Sequence, residues 1–219
     1  MTLKAVLFDL DGVIVDTAKY HYIAWKQLAD KLGIYFDEEI NERLKGVSRM
    51  ASLEIILERS SKTYTEEEKE ALATEKNDQY VSMVKRITPA EILPGVTVFL
   101  QSLKEAGIKS AVCSASKSAG MIIDLLDLND FFDAVLGGAD VSKPKPDPEI
   151  FTLARDRFGL TSDECLVVED AFAGIEAAKN AGMKALGIGD KTILTNAVVV
   201  YRDMTDFTLE DAQKLFRQK

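Results

Sequence analysis

The sequence is poor in cysteine and has no long apolar run. Its 219 residues include only two cysteines, Cys113 and Cys165, which do not form a CxxC pair. A disulfide framework and a cysteine-based metal site are therefore not expected, whereas two buried, reduced thiols are. The apolar run near the N-terminus, residues 4–8, is too short for the hydrophobic segment of a signal peptide or for a membrane span. We therefore expect a cytoplasmic protein without a membrane partner.

Positive charge is also in short supply. The chain has 27 basic and 36 acidic residues, which gives a formal net charge of −9. This balance argues against nucleic acid as a partner. It does not exclude a small phosphorylated ligand, which needs only a few local lysine or arginine side chains and a metal ion. With 47% hydrophobic residues, the chain can bury the core of one large domain, or of one domain with a small insertion.

Short apolar runs alternate with helical patterns along most of the chain. The runs predict β-strands over residues 3–8, 108–114, 134–136, 165–168, 183–188 and 197–201. The patterns between them predict helices over residues 95–106, 117–127, 148–158 and 171–181. Nearly continuous apolar strands that alternate with helices are typical of a parallel sheet with helices on both faces. The predicted fold class is therefore α/β, with a doubly wound, Rossmann-like sheet.

One segment after the first strand breaks this alternation and carries helical signals only. Its predicted helices cover residues 17–32, 37–45, 50–60 and 65–86. An all-helical block inside an α/β chain indicates a second, smaller domain. We therefore predict a helical cap domain over residues 16–87 and a catalytic core formed by residues 1–15 and 88–219.

Several chemically active side chains follow the predicted strands. Asp9 and Asp11 come after the first strand, Ser114 after the second, and the pair Glu169-Asp170 after a later one. Ligands of open parallel sheets bind at the carboxyl ends of the strands, so these residues are expected to converge. Four carboxylates close together repel one another unless a cation compensates, and oxygen ligands beside a phosphate favour Mg²⁺. A single aspartate there is usually a turn former or helix cap, but two acidic pairs are harder to explain in that way.

The ordered set of these motifs resembles that of the haloacid dehalogenase superfamily. The matching residues are Asp9-Leu10-Asp11-Gly12-Val13, Ser114, Lys145 and Glu169-Asp170. The resemblance covers the whole chain and points to the branch with a helical cap after the first strand. Within the superfamily the chain is most similar to phosphosugar mutases, through Asp16, Thr17, Ala18, His21, Trp25, Lys45, Gly46, Val47, Ser48, Arg49, Ser52, Lys76, Asn77, Asp78, Ala115, Ser116 and Lys117.

The resemblance implies interconversion of β-glucose 1-phosphate and glucose 6-phosphate through a β-glucose 1,6-bisphosphate intermediate. It implies that Asp9 attacks phosphorus and forms an aspartyl phosphate, and that Asp11 acts as general acid and base with a raised pKa. Ser114 and Lys145 would stabilise charge on the transferring phosphate. Mg²⁺ would be held by Asp9, the backbone carbonyl of Asp11, Asp170 and Glu169.

The same resemblance gives the remaining matched residues a place around the sugar phosphate. Arg49 in the cap would grip the second phosphate, and Ser116 and Lys117 would meet it from the core. His21 and Lys76 would couple cap closure to Asp11. Trp25, four positions from His21, is better explained as core packing than as a sugar platform. The other expected substrate-binding residues are Thr17, Lys45, Gly46, Val47, Ser48, Ser52 and Ala115.

Some questions stay open at the level of the sequence. Lys143-Pro144 and Lys145-Pro146 both match the lysine motif of the superfamily, and their distance from Glu149 favours Lys145. Ser118 stands where the mutases often carry asparagine, so it reaches the second phosphate through water or only caps the next helix. A phosphatase of the same architecture is the first alternative to a mutase, and a catalytically silent binding module is the second. We expect a monomer.

Overall fold

The computed structural model describes residues 2–44 and 47–217. Within these ranges, six strands form one sheet: β1 Ala5–Phe8, β2 Lys109–Cys113, β3 Ala134–Leu136, β4 Cys165–Glu169, β5 Lys184–Ile188 and β6 Val199–Tyr201. All neighbouring strands are parallel, in the order β3-β2-β1-β4-β5-β6. This is the order of a doubly wound, Rossmann-like sheet. The predicted fold class is confirmed.

The sheet is buried on both faces because helices cover each side. The helices that follow its strands are α5 Val96–Glu105, α6 Ala119–Leu125, α7 Glu149–Arg157, α8 Phe172–Asn180 and α9 Leu209–Arg217. All four residues of β1 are fully buried. Alternate residues of this strand belong to two different hydrophobic clusters, with Val6 and Phe8 on one face and Ala5 and Leu7 on the other. Continuous apolar strands are what such a two-sided burial requires.

Among the described residues, four further α-helices lie between β1 and α5 in the chain, and we call them the cap. They are α1 Ala18–Leu32, α2 Glu38–Glu42, α3 Arg49–Leu57 and α4 Glu66–Val84. The cap has a hydrophobic cluster of its own that includes Trp25, Leu28, Phe36, Leu53 and Ile56. A separate cluster supports the prediction that residues 16–87 form a small domain, and the exact division of the chain stays a prediction.

Among the described α-helices, one was missing from the predictions. The helix α9 buries Ala212 and Phe216 and packs against α5. The Thr208 hydroxyl accepts a hydrogen bond from the Asp211 N–H at 3.2 Å, which is an N-cap contact. Thr208-x-x-Asp211 was therefore an available start signal that the sequence interpretation did not use. No helix of the described ranges has both the length and the apolar character needed to cross a bilayer.

Candidate active site

Three neighbouring strands bring their polar ends to one edge of the sheet. Phe8 at the end of β1 is in register with Val112 of β2 and with Val168 of β4. The next residue, Asp9, donates its backbone N–H to the Val168 carbonyl at 2.9 Å. Ser114 follows β2 and is completely buried. The central position of β1 therefore places Asp9 between the ends of β2 and β4.

Lys145 is the buried cation of this edge. Its Nζ atom donates to Asp9 Oδ1 at 2.5 Å, to Glu169 Oε1 at 2.6 Å and to the Cys113 carbonyl at 3.0 Å. Burial disfavours its charge, but the two carboxylates outweigh burial and raise the pKa of Lys145. The Lys143 side chain is exposed and faces Asp147 at 3.6 Å. The structure thus places Lys145, and not Lys143, beside Asp9.

Three carboxylates could hold a metal ion. Oxygen atoms of Asp9, Glu169 and Asp170 all lie within 4.8 Å of one another. Hard divalent cations prefer such oxygen ligands, so the residues fit the expected ion. Glu169 is fully buried, and burial raises its pKa to about 7 against the opposing effect of Lys145. The Asp11 carboxylate is not part of this group, and a contribution of its backbone carbonyl stays a prediction.

Two glycines leave room for the acidic groups. Gly12 has a φ of +81°, and a Cβ at this position would overlap the Asp170 carboxylate. Gly174 lies in the first turn of α8, where a Cβ would overlap the Glu169 carboxylate. The Glu169 Oε2 atom also accepts the N–H groups of Asp170 and Ala171, both at 3.0 Å. The position of Glu169 is therefore fixed by backbone as well as by Lys145.

Asp11 occupies a turn that aims its side chain into the site. Its backbone forms an isolated bridge with Val15. Burial is the largest effect on its carboxyl and Asp9 the next, and together they raise the pKa of Asp11 to about 7. Its Oδ1 atom is buried and has no hydrogen-bond partner among the described residues. A carboxyl that retains a proton near neutral pH suits general acid and base chemistry.

A cavity of about 520 Å³ lies between the cap and the edge of the sheet. Asp9, Asp11 and Asp170 line it, while Ser114, Lys145 and Glu169 are not among its lining residues and lie buried. Of the predicted substrate-binding residues, the cavity is lined by His21, Trp25, Val47, Ser48, Arg49, Ser52, Lys76, Ala115, Ser116 and Lys117. Thr17 is completely buried and does not line it. Lys45 and Gly46 lie outside the described residues.

The cap contributes a buried lysine and the single histidine. Lys76 Nζ lies 2.8 Å from His21 Nδ1 and 4.4 Å from the centre of the Trp25 ring. Burial, and then the charge of Arg49, lower the pKa of Lys76 to about 7. Burial also lowers the pKa of His21 well below its ordinary value, with Lys76 as the next cause. Trp25 belongs to the hydrophobic cluster of the cap, as expected. The face of its ring also contacts the Lys76 Nζ atom beside the cavity.

The loop after β2 is held by its own serines. The Ser114 hydroxyl accepts the Ser116 N–H at 3.0 Å, and the Ser116 hydroxyl accepts the Ser118 N–H at 3.1 Å. Ser118 is the N-cap residue of α6, as one of its two interpretations expected, but its side chain makes no capping hydrogen bond. Gly138 approaches from the other side, and its N–H donates to the Ser116 carbonyl at 3.1 Å.

Sequence reasoning missed several residues that line the cavity. The most informative are Tyr80, Glu70, Thr74 and Gly138. Tyr80 follows Lys76 by four positions on one helix, so the two share a helix face. This spacing is a signal that could have been used once Lys76 was singled out.

A Rossmann-like sheet with an Asp-x-Asp pair after its first strand, a buried lysine beside it and a helical insertion defines the class of capped α/β enzymes. Comparison with known proteins agrees with this class. The chain belongs to the haloacid dehalogenase-like hydrolase family, whose model matches residues 3–182.

Individual relatives are similar over nearly the whole chain. The β-phosphoglucomutase of Bacillus subtilis is 43% identical over 210 residues, which are 95% of this chain and 93% of that protein. The phosphorylated carbohydrates phosphatase of Thermotoga maritima is 32% identical and covers 84% of each chain. The crystal structure of β-phosphoglucomutase from Clostridium difficile superposes with a TM-score of 0.93 at 41% identity, over 98% of this chain and 97% of that one.

Proposed function

We propose that this protein is a phosphosugar mutase that interconverts β-D-glucose 1-phosphate and β-D-glucose 6-phosphate through a β-glucose 1,6-bisphosphate intermediate. The observation that supports this best is the composition of the cavity wall. Asp9 lines it together with basic side chains on opposite sides, among them Arg49 from the cap and Lys117 from the core loop. A mutase must hold one phosphate while the other is transferred, whereas a hydrolase needs no second phosphate site. The identity to a β-phosphoglucomutase supports the same activity.

In the proposed reaction, an Asp9 oxygen attacks phosphorus and forms an aspartyl phosphate as the bond from phosphorus to the sugar oxygen breaks. Asp11 gives a proton to the departing sugar oxygen. It later removes a proton from the sugar hydroxyl that accepts the phosphoryl group from Asp9. Lys145 holds the Asp9 carboxylate in one orientation at 2.5 Å, and its charge stabilises the transferring oxygens. Ser114 would donate a hydrogen bond to the same group.

We propose Mg²⁺ as the cofactor. Asp9, Asp170 and the Asp11 carbonyl would hold it, with Glu169 as a direct ligand or through water; the close approach of the three carboxylates supports this set. When bound, the ion would supply positive charge that neutralises the phosphoryl oxygens.

The cap has a defined part in this proposal. Closed over the sugar phosphate, it would exclude water, so that a sugar hydroxyl and not water meets the aspartyl phosphate. Arg49 would grip the second phosphate in bidentate fashion, with Ser116 and Lys117 on the opposite side. The expected cytoplasmic location and monomeric state stay predictions.

A phosphatase of small sugar phosphates is the alternative function. The similarity to the phosphorylated carbohydrates phosphatase supports it, because a water molecule could take the place of the sugar hydroxyl in the same machinery. The intact set of Asp9, Asp11, Lys145 and Glu169-Asp170 argues against a silent binding module.

A coupled assay tests the proposal. The protein would be incubated with β-glucose 1-phosphate, Mg²⁺ and a trace of the bisphosphate, and glucose 6-phosphate and free phosphate would be measured together. We expect glucose 6-phosphate to form much faster than free phosphate, and Arg49→Ala to reduce the first far more than the second. Release of free phosphate alone would establish the phosphatase instead. An inactive protein would favour the binding module.

A further inference from the structure

Tyr80 connects the cap to the core although it belongs to a cap helix. It lies on α4, is 1% exposed, and packs with Val84 in the hydrophobic cluster of the core. Another buried residue of α4, Ala73, belongs instead to the hydrophobic cluster of the cap. The Tyr80 side chain therefore crosses from the cap into the core.

The ring of Tyr80 supports the pair formed by His21 and Lys76. It stacks on the His21 ring with centres 4.0 Å apart and planes inclined by 29°. The Lys76 Nζ atom lies 5.0 Å from its centre, within the range of a cation–π contact. Packing thus fixes the ring, and with it the direction of the hydroxyl.

The hydroxyl of Tyr80 is a buried donor that no described residue accepts. The polar groups that act on the phenol are the Asp11 carboxylate and the hydroxyls of Thr17 and Ser116. Burial and then Asp11 raise the pKa of Tyr80, so the phenol keeps its proton at neutral pH. Buried donors in native proteins are almost always paired, so this hydroxyl and that of Thr17 are exceptions among the described residues.

Ser116 has an acceptor position to offer. A serine hydroxyl has two lone pairs and one proton. In Ser116, one lone pair already accepts the Ser118 N–H at 3.1 Å, and the backbone is held by hydrogen bonds to Ser114 Oγ and from Gly138 N. If a second group donated a hydrogen bond to Ser116 Oγ, it would occupy the remaining lone pair. The hydroxyl proton of Ser116 would then be left to point into the cavity that Ser116 lines.

We propose that Tyr80 is a positioning residue for phosphate binding: with ligand bound, its hydroxyl donates to Ser116 Oγ and turns the Ser116 proton toward the phosphate that is not transferred. The inference rests on the proposed function, because it assigns Ser116 to the second phosphate. It ties the cap helix that carries Lys76 to the core loop that carries Lys117. The affinity for a bisphosphorylated hexose then depends on a group that touches no ligand atom.

Tyr80→Phe removes only the hydroxyl and tests the proposal directly. We expect the KM for β-glucose 1-phosphate and the Kd for β-glucose 1,6-bisphosphate, measured by calorimetry, to rise about tenfold, the size of one lost hydrogen bond. The kcat and the melting temperature should change little, because the hydroxyl has no partner among the described residues in the ligand-free protein. Tyr22→Phe is the matched control, since Tyr22 packs against Phe36 in the cap and does not line the cavity.

A double-mutant cycle identifies the partner. The effects of Tyr80→Phe and Ser116→Ala on the Kd should be strongly non-additive, and more so than those of Tyr80→Phe and Thr17→Val. A Tyr80→Phe protein with the affinity of the wild type, additive effects with Ser116→Ala, or a lowered melting temperature without a change in affinity would each overturn the proposal. Failure of the proposed function is recognised separately, since the wild-type protein itself would then neither bind the bisphosphate nor form glucose 6-phosphate.

Discussion

The two walls of the cavity differ in how their polar groups are paired. On the core side, Lys145 donates hydrogen bonds to both Asp9 and Glu169, and Glu169 also accepts hydrogen bonds from two backbone N–H groups. On the side where cap and core meet, buried oxygens of Asp11, Thr17 and Tyr80 have no partner among the described residues. The core side is therefore organised before any substrate arrives, whereas the groups where cap and core meet keep unused hydrogen-bonding capacity. We infer that the core wall sets the chemistry and the cap side sets the affinity.

The largest effect is expected at Asp11, where the two sides meet. Asp11→Asn removes the proton donor and acceptor and should lower kcat by about 10²–10⁴-fold, the usual contribution of general acid and base catalysis. The fold should not suffer, because burial and then the neighbouring Asp9 oppose a charge at this position. Steady-state rates and melting curves would measure both, with Asp30→Asn on the exposed face of the cap as control. Retained turnover would show that Asp11 is only a metal-binding residue.

The next effect separates the two candidate lysines. Lys145→Ala removes the charge between Asp9 and Glu169 and should lower kcat by about 10²–10³-fold. It should also destabilise the protein by about 3–5 kcal/mol, because buried carboxylates lose their partner. Lys143→Ala is the control and should change stability by less than about 0.5 kcal/mol, since this side chain is exposed. The reverse pattern in kinetics and denaturant unfolding would mean that Lys143 serves the site.

A pair of glycines tests how rigid the core wall is. Gly174→Ala forces the buried Glu169 carboxylate to move and should cost about 1–3 kcal/mol of unfolding free energy, together with activity. Gly120→Ala is the matched control because Gly120 lies exposed in α6 with no atom near its missing Cβ. There alanine should stabilise the helix by about 0.5–1 kcal/mol. Equal effects at both glycines in chemical denaturation would contradict a tightly fixed Glu169.

The smallest effect concerns the buried lysine of the cap. Lys76 has a pKa of about 7 in the folded protein and one near 10.5 when unfolded. Between these values the unfolded chain binds a proton that the folded chain does not, so stability increases with pH. The unfolding free energy of the wild type relative to Lys76→Met should therefore rise by about 1–3 kcal/mol from pH 7 to pH 10. A difference that stays constant across this range would show that Lys76 is not desolvated.

The fold could be predicted from the sequence because its signals are local. Apolar runs predicted each of the six strands of the described residues. Glycines with a positive φ, such as Gly107, follow helices where the sequence predicted their ends. The group of site residues at the edge of the sheet could be predicted equally well, since residues that follow neighbouring parallel strands lie close together. Motif spacing favoured Lys145 over Lys143 but could not decide between them. The answer depends on which side chain the loop before α7 turns inward.

The cap side could not be predicted as well, because its residues face the core only through tertiary packing. The helix α4 is rich in charge, and apart from the family resemblance nothing in its sequence distinguishes the buried Lys76 from the partly buried Lys69 and the exposed Glu70 on the same helix. Tyr80 was missed for the same reason. Its environment is built from a cap helix, the crossing point and a core loop that are distant in the sequence.

The central claim is that Asp9 carries the phosphoryl group. Incubation with the bisphosphate and Mg²⁺, followed by acid quenching and mass spectrometry of the peptides, measures this directly. We expect the mass of one phosphoryl group on the peptide with Asp9, and none on the same peptide of Asp9→Asn. A turning-over enzyme with an unmodified Asp9 peptide, or with the phosphoryl group on another residue, would contradict it.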